Sequence, residues 1–335
     1  MSQPAVSIIM PVYRAEAFLD ASVGSVLAQT CPDWELICFN DASPDGSLDV
    51  LKRLQQRSAG RIHIIDSPVN VRQGGGRNRA LRSARGRYVM FLDADDALAP
   101  DAVECCLREA ARGADMVVFD YAACSGDSRT RRCQLGDDAA ALEGDDLRRR
   151  ILSRTTPVWS AMYDARLITA QDLYFPEKVF YEDNAVAMAI QLSARRPVKI
   201  NRTLYLYRCD NVSVTRSTDN YRFFDRIASA RILLGHLKRL GIYGRYPAEI
   251  DFLFVNLYYT HTIFGCVYRF SSVPMLRHRY VRRTITRYVP DFRRNPLYRA
   301  QPLRLRLKIA LHARFPRLLH ALSRAKRRLL SAAAH

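Results

Sequence analysis

The 335-residue sequence lacks the cysteine spacing of a zinc site or of a disulfide framework. Its eight cysteines are scattered, without a Cys-x-x-Cys pair and without a Cys/His cluster. The first residues contain no basic stretch followed by a long apolar run, so we expect no secretory signal peptide. Because disulfides form in oxidising compartments, this combination predicts reduced thiols in a cytoplasmic protein.

Long apolar runs are missing as well. The longest uncharged run, residues 252–268, contains Asn256 and His261, and it is shorter than the roughly 20 mainly apolar residues that a membrane-spanning helix needs. We interpret this run as a buried helix, and a segment that dips into a membrane is the alternative.

Acidic residues are scarce in the last third of the chain. Residues 216–335 hold 25 Lys and Arg residues against 5 Asp and Glu residues, a net charge of +20, and no acid follows Asp291. Residues 1–215 hold 27 basic against 28 acidic residues, a net charge of −1. Such asymmetry indicates two regions with different partners.

Short apolar runs alternate with helical patterns through the first half of the chain. This alternation predicts an α/β fold, with a Rossmann-like, mostly parallel sheet and helices on both faces. We expect residues 1–120 to form one half of the first region and residues 121–215 a less regular second half, followed by a helical, Arg-rich region at 216–335. The predicted strands are residues 6–10, 35–39, 62–65, 88–92, 116–119 and 198–208; the predicted helices are residues 15–29, 74–85 and 101–112, one that ends near 57 and one that begins at 182; residues 121–150 are predicted to be a polar loop.

Four residues directly after a predicted strand, Asp93-Ala-Asp-Asp96, form an acidic cluster. In parallel sheets, ligands bind beyond the carboxyl ends of the strands. Adjacent carboxylates repel one another unless a cation neutralises them, and Mg²⁺ or Mn²⁺ suits carboxylate and diphosphate oxygens. An acidic turn without any ligand is the alternative, and it would be the better interpretation of an isolated Asp-x-Asp.

The acidic cluster is the last part of a series of six ordered blocks. The blocks are Val6-Ser-Ile-Ile-Met-Pro-Val-Tyr13, Ser25-Val-Leu-Ala-Gln-Thr30, Trp34-Glu-Leu-Ile37, Asn40-Asp-Ala-Ser-Pro-Asp-Gly-Ser47, Gly76-Arg-Asn-Arg79 and Gly86-Arg-Tyr-Val-Met-Phe-Leu-Asp-Ala-Asp-Asp96. In sequence and spacing these blocks resemble family 2 glycosyltransferases, which have the GT-A fold and invert the anomeric configuration. The resemblance covers roughly residues 5–215.

The resemblance implies a nucleotide-sugar site. Asp93 would contact the ribose and share the metal, Asp95 would be the principal ligand of Mn²⁺ or Mg²⁺, and Ala94 lies between them. Pro11 and Tyr13, at the end of the first strand, would lie where the family holds the nucleotide base. Asp41 would form a hydrogen bond with the base, and Arg77 would lie near the nucleotide.

Two segments depart from the family pattern. Arg14 follows the tyrosine of the first strand where the family usually has Asn, and Asn40-Asp-Ala-Ser43 stands where the family usually has Asp-Asp-Gly-Ser. Because Asp41 itself is retained, we still expect it to contact the base, which in this family is usually uracil.

The later segment Phe175-Pro-Glu-Lys-Val-Phe-Tyr-Glu-Asp183 resembles the Glu-Asp motif of the family. An inverting transfer needs a base within hydrogen-bond reach of the acceptor hydroxyl. Asp183 is our candidate, with Glu182 orienting it or binding the acceptor. Acids at a helix amino-terminus, favoured by the macrodipole, are the alternative.

Two further positions gain roles from the resemblance. Trp159 matches a segment that lines the acceptor side, and a place in the core is the alternative. Tyr205-Leu-Tyr-Arg208 with Asn211-Val-Ser213 resembles a loop that closes over the diphosphate. Arg208 would then stabilise charge on the leaving group, and an exposed arginine at a strand end is the alternative.

The end of the chain combines leucines at three-, four- and seven-residue spacing with many basic residues, and Pro316 should bend it. Such a segment suits an anionic membrane surface, where the lipid-linked acceptors of the family would be found. A helix that packs its leucines on the first region or on a second subunit is the alternative. Nucleic-acid binding is not expected, because no recognition motif accompanies the charge.

The sequence therefore predicts a metal-dependent inverting transferase that uses a nucleotide diphosphate sugar, with a UDP-sugar as the expected donor. Its acceptor would be a hydroxyl of a glycan or lipid-linked glycan in bacterial surface polysaccharide or lipopolysaccharide synthesis, at the inner face of the cell membrane. A processive synthase would need Gln-x-x-Arg-Trp, and a nucleotidylyltransferase a glycine-rich basic loop after the first strand; the chain has neither. The rival from another class is a catalytically inactive scaffold that docks at membranes.

Overall fold

The structure is a computed structural model, and it describes residues 3–210 and 218–332. The chain divides into two compact units, one ending at Asn211 and the other beginning at Val212. The predicted loop at Asn211-Val-Ser213 lies outside the described residues.

The first unit is an α/β unit built on one sheet. In the described residues the strand order is β3-β2-β1-β4-β8-β6-β9-β5, with β7 paired to β6. The strands are β1 (Val6–Val12), β2 (Trp34–Asp41), β3 (Ile62–Ser67), β4 (Tyr88–Phe91), β5 (Ala97–Leu98), β6 (Met116–Ser125), β7 (Ser128–Arg132), β8 (Ala161–Asp164) and β9 (Pro197–Arg208). The helices are α1 (Glu16–Leu27), α2 (Ser47–Gln56), α3 (Arg72–Ser83), α4 (Ala102–Ala111), α5 (Gly144–Ser153), α6 (Arg166–Thr169) and α7 (Ala187–Ser193).

The first four strands are parallel, as the alternation predicted. Every residue of β1 and β2 is buried, which means that both faces of this part of the sheet are covered, as in parallel sheets generally. The remaining part of the sheet is mixed, because β8 runs antiparallel to both β4 and β6 while β9 runs parallel to β6. The core of the unit lies around β1, β2 and β4.

The prediction of a loop at residues 121–150 was wrong. Strand β6 continues to Ser125, pairs with β7 as a hairpin, and is followed by a 3₁₀ turn at Asp137–Ala141 and by α5. All five side chains of β7 are exposed, so its sequence carries none of the apolar alternation by which a half-buried strand is recognised. The helix predicted from residue 182 begins as a short 3₁₀ turn at Asp183–Ala185 and continues as α7.

The parallel register places the carboxyl ends of three strands at one edge of the sheet. Val12 of β1 pairs with Asn40 of β2, next to Asp41, and Ile9 pairs with Phe91, the last residue of β4. The acidic cluster that follows β4 therefore lies at the same edge as Asp41. This is the edge at which ligands bind in open α/β sheets.

The second unit is helical in its described residues, as predicted. A π-helical turn at Val255–Thr260 joins α10 to α11, so the uncharged run at 252–268 is helical and largely buried. No helix in residues 3–210 or 218–332 combines the length and the apolar character needed to cross a membrane. The helices are α8 (Asp225–Arg239), α9 (Ile242–Arg245), α10 (Pro247–Phe254), α11 (His261–Tyr268), α12 (Met275–Tyr288), α13 (Pro296–Arg299), α14 (Leu303–Arg314) and α15 (Pro316–Ala332).

The helix break predicted at Pro316 is confirmed. Helix α14 ends at Arg314, and Pro316 is the first residue of α15. Proline fits the first turn of a helix but not its interior, because it lacks the backbone N–H.

Candidate active site

The acidic turn after β4 is held by the last strand of the first unit. The Tyr205 hydroxyl donates to Asp96 Oδ2 at 2.7 Å and accepts from the backbone N–H of Asp93 at 3.1 Å. The backbone N–H of Arg208 donates to the other oxygen of Asp96 at 2.8 Å. Both ends of the turn are thus fixed to β9, although more than a hundred residues separate them in the chain.

This turn carries an excess of negative charge. Burial and the neighbouring charges of Asp93 and Asp95 together raise the pKa of Asp96 to about 8, against the lowering effect of hydrogen bonds from the Arg208 N–H and the Tyr205 hydroxyl. A carboxylate is destabilised both by leaving water and by like charges close by. The turn is therefore a place at which a cation would be favourable.

Arg77 joins the turn to the predicted Glu-Asp motif. Its guanidinium is buried and donates to Asp93 Oδ1 at 2.8 Å and to Glu182 Oε1 at 2.6 Å. Arg77 lies in α3, and Glu182 comes 105 residues later. One side chain therefore brings together two acidic motifs that the sequence could relate only through the family resemblance.

Glu182 and Asp183 share this negative environment. Burial raises the pKa of Asp183, and Asp93 raises it further, while Arg77 and the N–H of Asn184 lower it. Burial also raises the pKa of Glu182, and Arg77 opposes that rise. Glu182 is the more buried of the two, and Asp183 is partly exposed. Asp183 therefore combines a raised pKa with access to solvent.

Glycines in α3 permit the close approach of this segment. A side chain on Gly74 would come within 2.5 Å of the Pro176 carbonyl oxygen, and one on Gly76 within 2.9 Å of the Phe39 ring. Gly74 thus permits packing of α3 against the segment before Glu182, and Gly76 permits packing of α3 against β2.

The predicted base-binding residues lie at the ends of β1 and β2. Pro11 is buried, whereas the Tyr13 ring is 46% exposed. Asp41 Oδ1 accepts from the backbone N–H of Val71 at 2.6 Å, and burial raises the pKa of this carboxyl. Asp41 thereby ties β2 to the start of α3, and the Arg14 guanidinium lies over the Tyr13 ring, 5.4 Å from its centroid.

The two departures from the family pattern occupy left-handed backbone positions. Arg14 and Ala42 both have φ of 53°, in the region that Gly and Asn adopt most easily. The N–H of Arg14 donates to Ser43 Oγ at 3.2 Å, which links the two turns. The backbone geometry expected for Asn and Gly is kept, although the residues have changed.

Trp159 and Arg208 are both connected to the acidic turn through β9. The Trp159 ring stacks on Tyr205 with centroids 4.3 Å apart and on Tyr207 at 5.6 Å, and it is partly buried. Arg208 Nε donates to the carbonyl oxygen of Asp95 at 3.1 Å. The structure therefore groups both residues with Asp95 and Asp96 through β9.

Asp93 and Asp95 are the carboxylates of the turn that could hold a divalent ion. In the described residues, the one group of three candidate ligands whose ligating atoms lie within 4.8 Å of one another is Asp120, Cys133 and Asp137. Lys199 and Arg131 already neutralise that group. The acidic turn instead offers one or two carboxylates, Asp95 and Asp93. Proteins usually provide that number of ligands to Mg²⁺ when the phosphates of a substrate provide further ligands.

Reasoning from the sequence gave no individual role to Asp96 or Tyr205. Asp96 was visible as the fourth residue of the acidic cluster, but its buried bonds to β9 depend on tertiary structure. The hydroxyl of Tyr205 could not be placed without the pairing of β9 with β6.

Comparison with known proteins agrees with this geometry. Residues 7–163 match the sequence profile described as glycosyl transferase family 2. EpsH of Bacillus subtilis (strain 168), named provisionally as a glycosyltransferase, is 27% identical over 260 residues, which cover 75% of this chain and 74% of EpsH.

Solved structures share the fold. The structure of S. aureus TarS 1–349 in complex with UDP has a TM-score of 0.70 at 17% identity, covering 96% of this chain and 91% of TarS 1–349. The mannosyltransferase PcManGT from Pyrobaculum calidifontis, in complex with GDP-Man and Mn²⁺, has a TM-score of 0.52 at 15% identity, covering 96% of this chain and 87% of PcManGT. The α/β unit has the GT-A fold that the resemblance implied.

Proposed function

Since the chain belongs to glycosyl transferase family 2 and is a glycosyltransferase, we propose that it performs a metal-dependent, inverting transfer of a sugar from a nucleotide diphosphate to an acceptor hydroxyl. The observation that carries this proposal is the Arg77 bridge, which holds Asp93 of the acidic turn beside Glu182. The acid on the donor side and the acids of the proposed base must face one reacting centre. The acceptor hydroxyl attacks, and the diphosphate leaves, on opposite sides of the same anomeric carbon.

The donor is proposed to lie across the carboxyl ends of β1, β2 and β4. Tyr13 and Pro11 would contact the base together with Asp41, and Asp93 and Ala94 the ribose side. A UDP-sugar is the proposed donor class; the UDP bound to TarS supports it, and the GDP-Man bound to PcManGT marks the main competitor.

Mn²⁺ or Mg²⁺ is proposed to be held by Asp95 and Asp93. When bound, the ion would neutralise diphosphate charge as a Lewis acid. The acid-rich turn supports this choice, as does the Mn²⁺ in PcManGT. Arg208, held beside Asp95, is proposed to add positive charge near the leaving diphosphate.

Asp183 is proposed to deprotonate the acceptor hydroxyl. Its raised pKa makes it a stronger base than an exposed aspartate, and its partial exposure leaves it accessible to an acceptor. Glu182 is buried against Arg77, which favours the orienting role over contact with the acceptor. Trp159 is proposed to line the acceptor site with the part of its ring that Tyr205 and Tyr207 do not cover.

The acceptor is proposed to be a glycan or lipid-linked glycan in the synthesis of a bacterial surface polysaccharide or lipopolysaccharide. This part rests on the family resemblance. The basic charge of the C-terminal region supports it, because we propose that this region meets an anionic membrane surface from the cytoplasmic side.

A screen of nucleotide sugars tests the catalytic proposal. Purified protein with Mn²⁺ is incubated with UDP-, GDP- and dTDP-sugars, and hydrolysis or transfer of at least one donor is expected. Asp95→Asn should lose metal-dependent donor binding, whereas the control Asp127→Asn, in the exposed β6–β7 turn, should retain it. Absence of both turnover and metal-dependent binding across the screen would refute the enzymatic proposal and favour the inactive scaffold.

A further inference from the structure

Helix α14 has apolar residues on two opposite faces. One face packs into the second unit through Ile309, His312 and Ala313, which are buried. The other face carries large apolar residues at four-residue spacing, which places them in one row. This outward row, between 48% and 61% exposed, consists of Leu303, Leu307 and Leu311.

Helix α15 repeats the arrangement. His320 faces the unit, where its two ring nitrogens lie within hydrogen-bond distance of the carbonyl oxygens of Val267 and Ser271. The large apolar residues on the outward side are between 57% and 72% exposed. They are Leu318, Leu322 and Leu329, and Phe315, at the junction of the two helices, is 48% exposed. We refer to these seven residues of α14 and α15 as the leucine face.

Each helix packs against the second unit with one face and exposes a row of apolar side chains on another face, which is unusual. Single exposed leucines are common on proteins, whereas a repeated row marks a surface that binds something apolar. On α14 the opposite side of the helix is covered, and on the first turns of α15 Pro316 and His320 are covered in the same way, whereas residues 324–326 and 328–330 of α15 are all exposed.

Basic residues surround the leucine face, and no acidic residue follows Asp291. They stand next to the apolar rows in sequence and on the flanks of the same helices. On α14 they are Arg304, Arg306, Lys308 and Arg314; on α15 they include Arg317, Arg324, Lys326 and Arg328. A partner for this surface must therefore be apolar in its middle and negatively charged around it.

A shallow cavity borders α15 on the arginine side. Its volume is about 310 Å³, and Arg324 and Arg328 line it together with Ser271 and Tyr268. Arg324 Nη1 donates to the Ser271 carbonyl oxygen at 2.7 Å, which fixes the guanidinium at the rim. Asp219 also lines the cavity, but its carboxylate accepts from the Ser271 N–H and hydroxyl. The cavity therefore brings two guanidinium groups and one carboxylate to the edge of α15.

We propose that the leucine face inserts into the boundary between headgroups and acyl chains of an anionic bilayer, with α14 and α15 lying in the membrane plane. A second copy of the chain fits less well, because pairing two such faces would bring two acid-free, basic surfaces together. This inference rests on the membrane contact in the proposed function and specifies which residues make it. It does not depend on catalysis.

Vesicle flotation of the full-length protein tests the insertion. Two variants remove the rows separately: Leu307→Gln with Leu311→Gln on α14, and Leu318→Gln with Leu322→Gln on α15. Each is expected to lower partitioning into phosphatidylglycerol/phosphatidylcholine vesicles about tenfold or more. The control is Leu276→Gln, which changes a leucine that is 84% exposed on α12 and should leave partitioning unchanged.

Depth is measured with Leu311→Trp and brominated lipids. Quenching of the new fluorescence in anionic vesicles, with little in pure phosphatidylcholine, is the expected result. Binding without quenching would overturn insertion in favour of a purely electrostatic contact, and loss confined to one helix variant would overturn the two-helix surface. Concentration-dependent self-association that the glutamine variants abolish would assign the face to a second copy instead. Because the nucleotide-sugar screen needs no vesicles, failure of either proposal is seen separately.

Discussion

Arg77 Nη1 lies 2.6 Å from Glu182 Oε1, and the other terminal nitrogen of the same guanidinium lies 2.8 Å from Asp93 Oδ1. This buried fork is the physical link between the donor side and the base side of the site. One buried cation is shared by two carboxylates, and its two bonds fix their directions relative to each other.

Arg77→Gln should therefore be strongly destabilising. Removing the cation leaves the buried Glu182 and the partly buried Asp93 without their shared partner, and a loss of about 3–5 kcal/mol in the free energy of unfolding is expected. Arg79→Gln is the matched control, because Arg79 pairs with Glu177 on the surface; its loss should be about 0–1 kcal/mol. Urea unfolding of both variants makes the comparison, and equal losses would contradict the structural role of the fork.

Tyr205→Phe removes one hydroxyl and leaves the ring on Trp159. The buried Asp96 carboxyl then loses a donor and the Asp93 N–H loses an acceptor, which should cost about 1–3 kcal/mol of stability. We expect Mn²⁺-dependent donor binding to weaken as the turn loosens. Isothermal titration with Mn²⁺ and UDP measures the effect, and Tyr207→Phe, whose ring stacks on the same Trp159, is the control. Unchanged binding would remove Tyr205 from the positioning of the turn.

Transfer should depend on pH through Asp183. Its pKa is raised above the ordinary value, so the carboxyl stays protonated to a higher pH than an exposed aspartate. Only the ionised form accepts a proton, and kcat/KM should therefore fall as pH decreases, beginning above the ordinary aspartate range near pH 4. Steady-state rates across pH measure this limb.

Asp183→Asn should keep donor binding and lose transfer. The neutral amide preserves the shape of the side chain but cannot act as a base, so kcat should fall by about two to four orders of magnitude. Donor binding measured by titration, beside transfer measured by product formation, separates the two functions. Transfer at the normal rate would place the base elsewhere.

Ala42→Gly should stabilise the protein. Ala42 has φ of 53°, and an alanine in the left-handed region costs about 1 kcal/mol or more relative to glycine. Part of the gain is offset, because glycine also increases the entropy of the unfolded chain. Ala28→Gly is the control, since Ala28 has φ of −85° and should lose stability or remain neutral. Chemical unfolding of the two variants decides; a loss in Ala42→Gly would show that the turn is not strained.

The sequence by itself determined the parallel half of the sheet and the position of the acids along the chain. Apolar strands such as residues 6–10 and 35–39 are buried on both faces, so their composition alone identifies them. Parallel strands place their carboxyl ends at one edge, and Asp41 and the Asp93 cluster therefore had to lie near each other. The charge of residues 216–335 likewise identified the basic C-terminal region from the sequence alone.

Only the tertiary structure decided which of these residues touch. The hairpin of β6 and β7 was missed because exposed polar strands lack an apolar period, and pairing rather than composition stabilises them. The bridge from Arg77 to Glu182 and the bond from Tyr205 to Asp96 join segments far apart in the chain. The direction of the C-terminal leucines was likewise undetermined, because periodicity places residues on a common helix face while packing alone decides whether that face is covered.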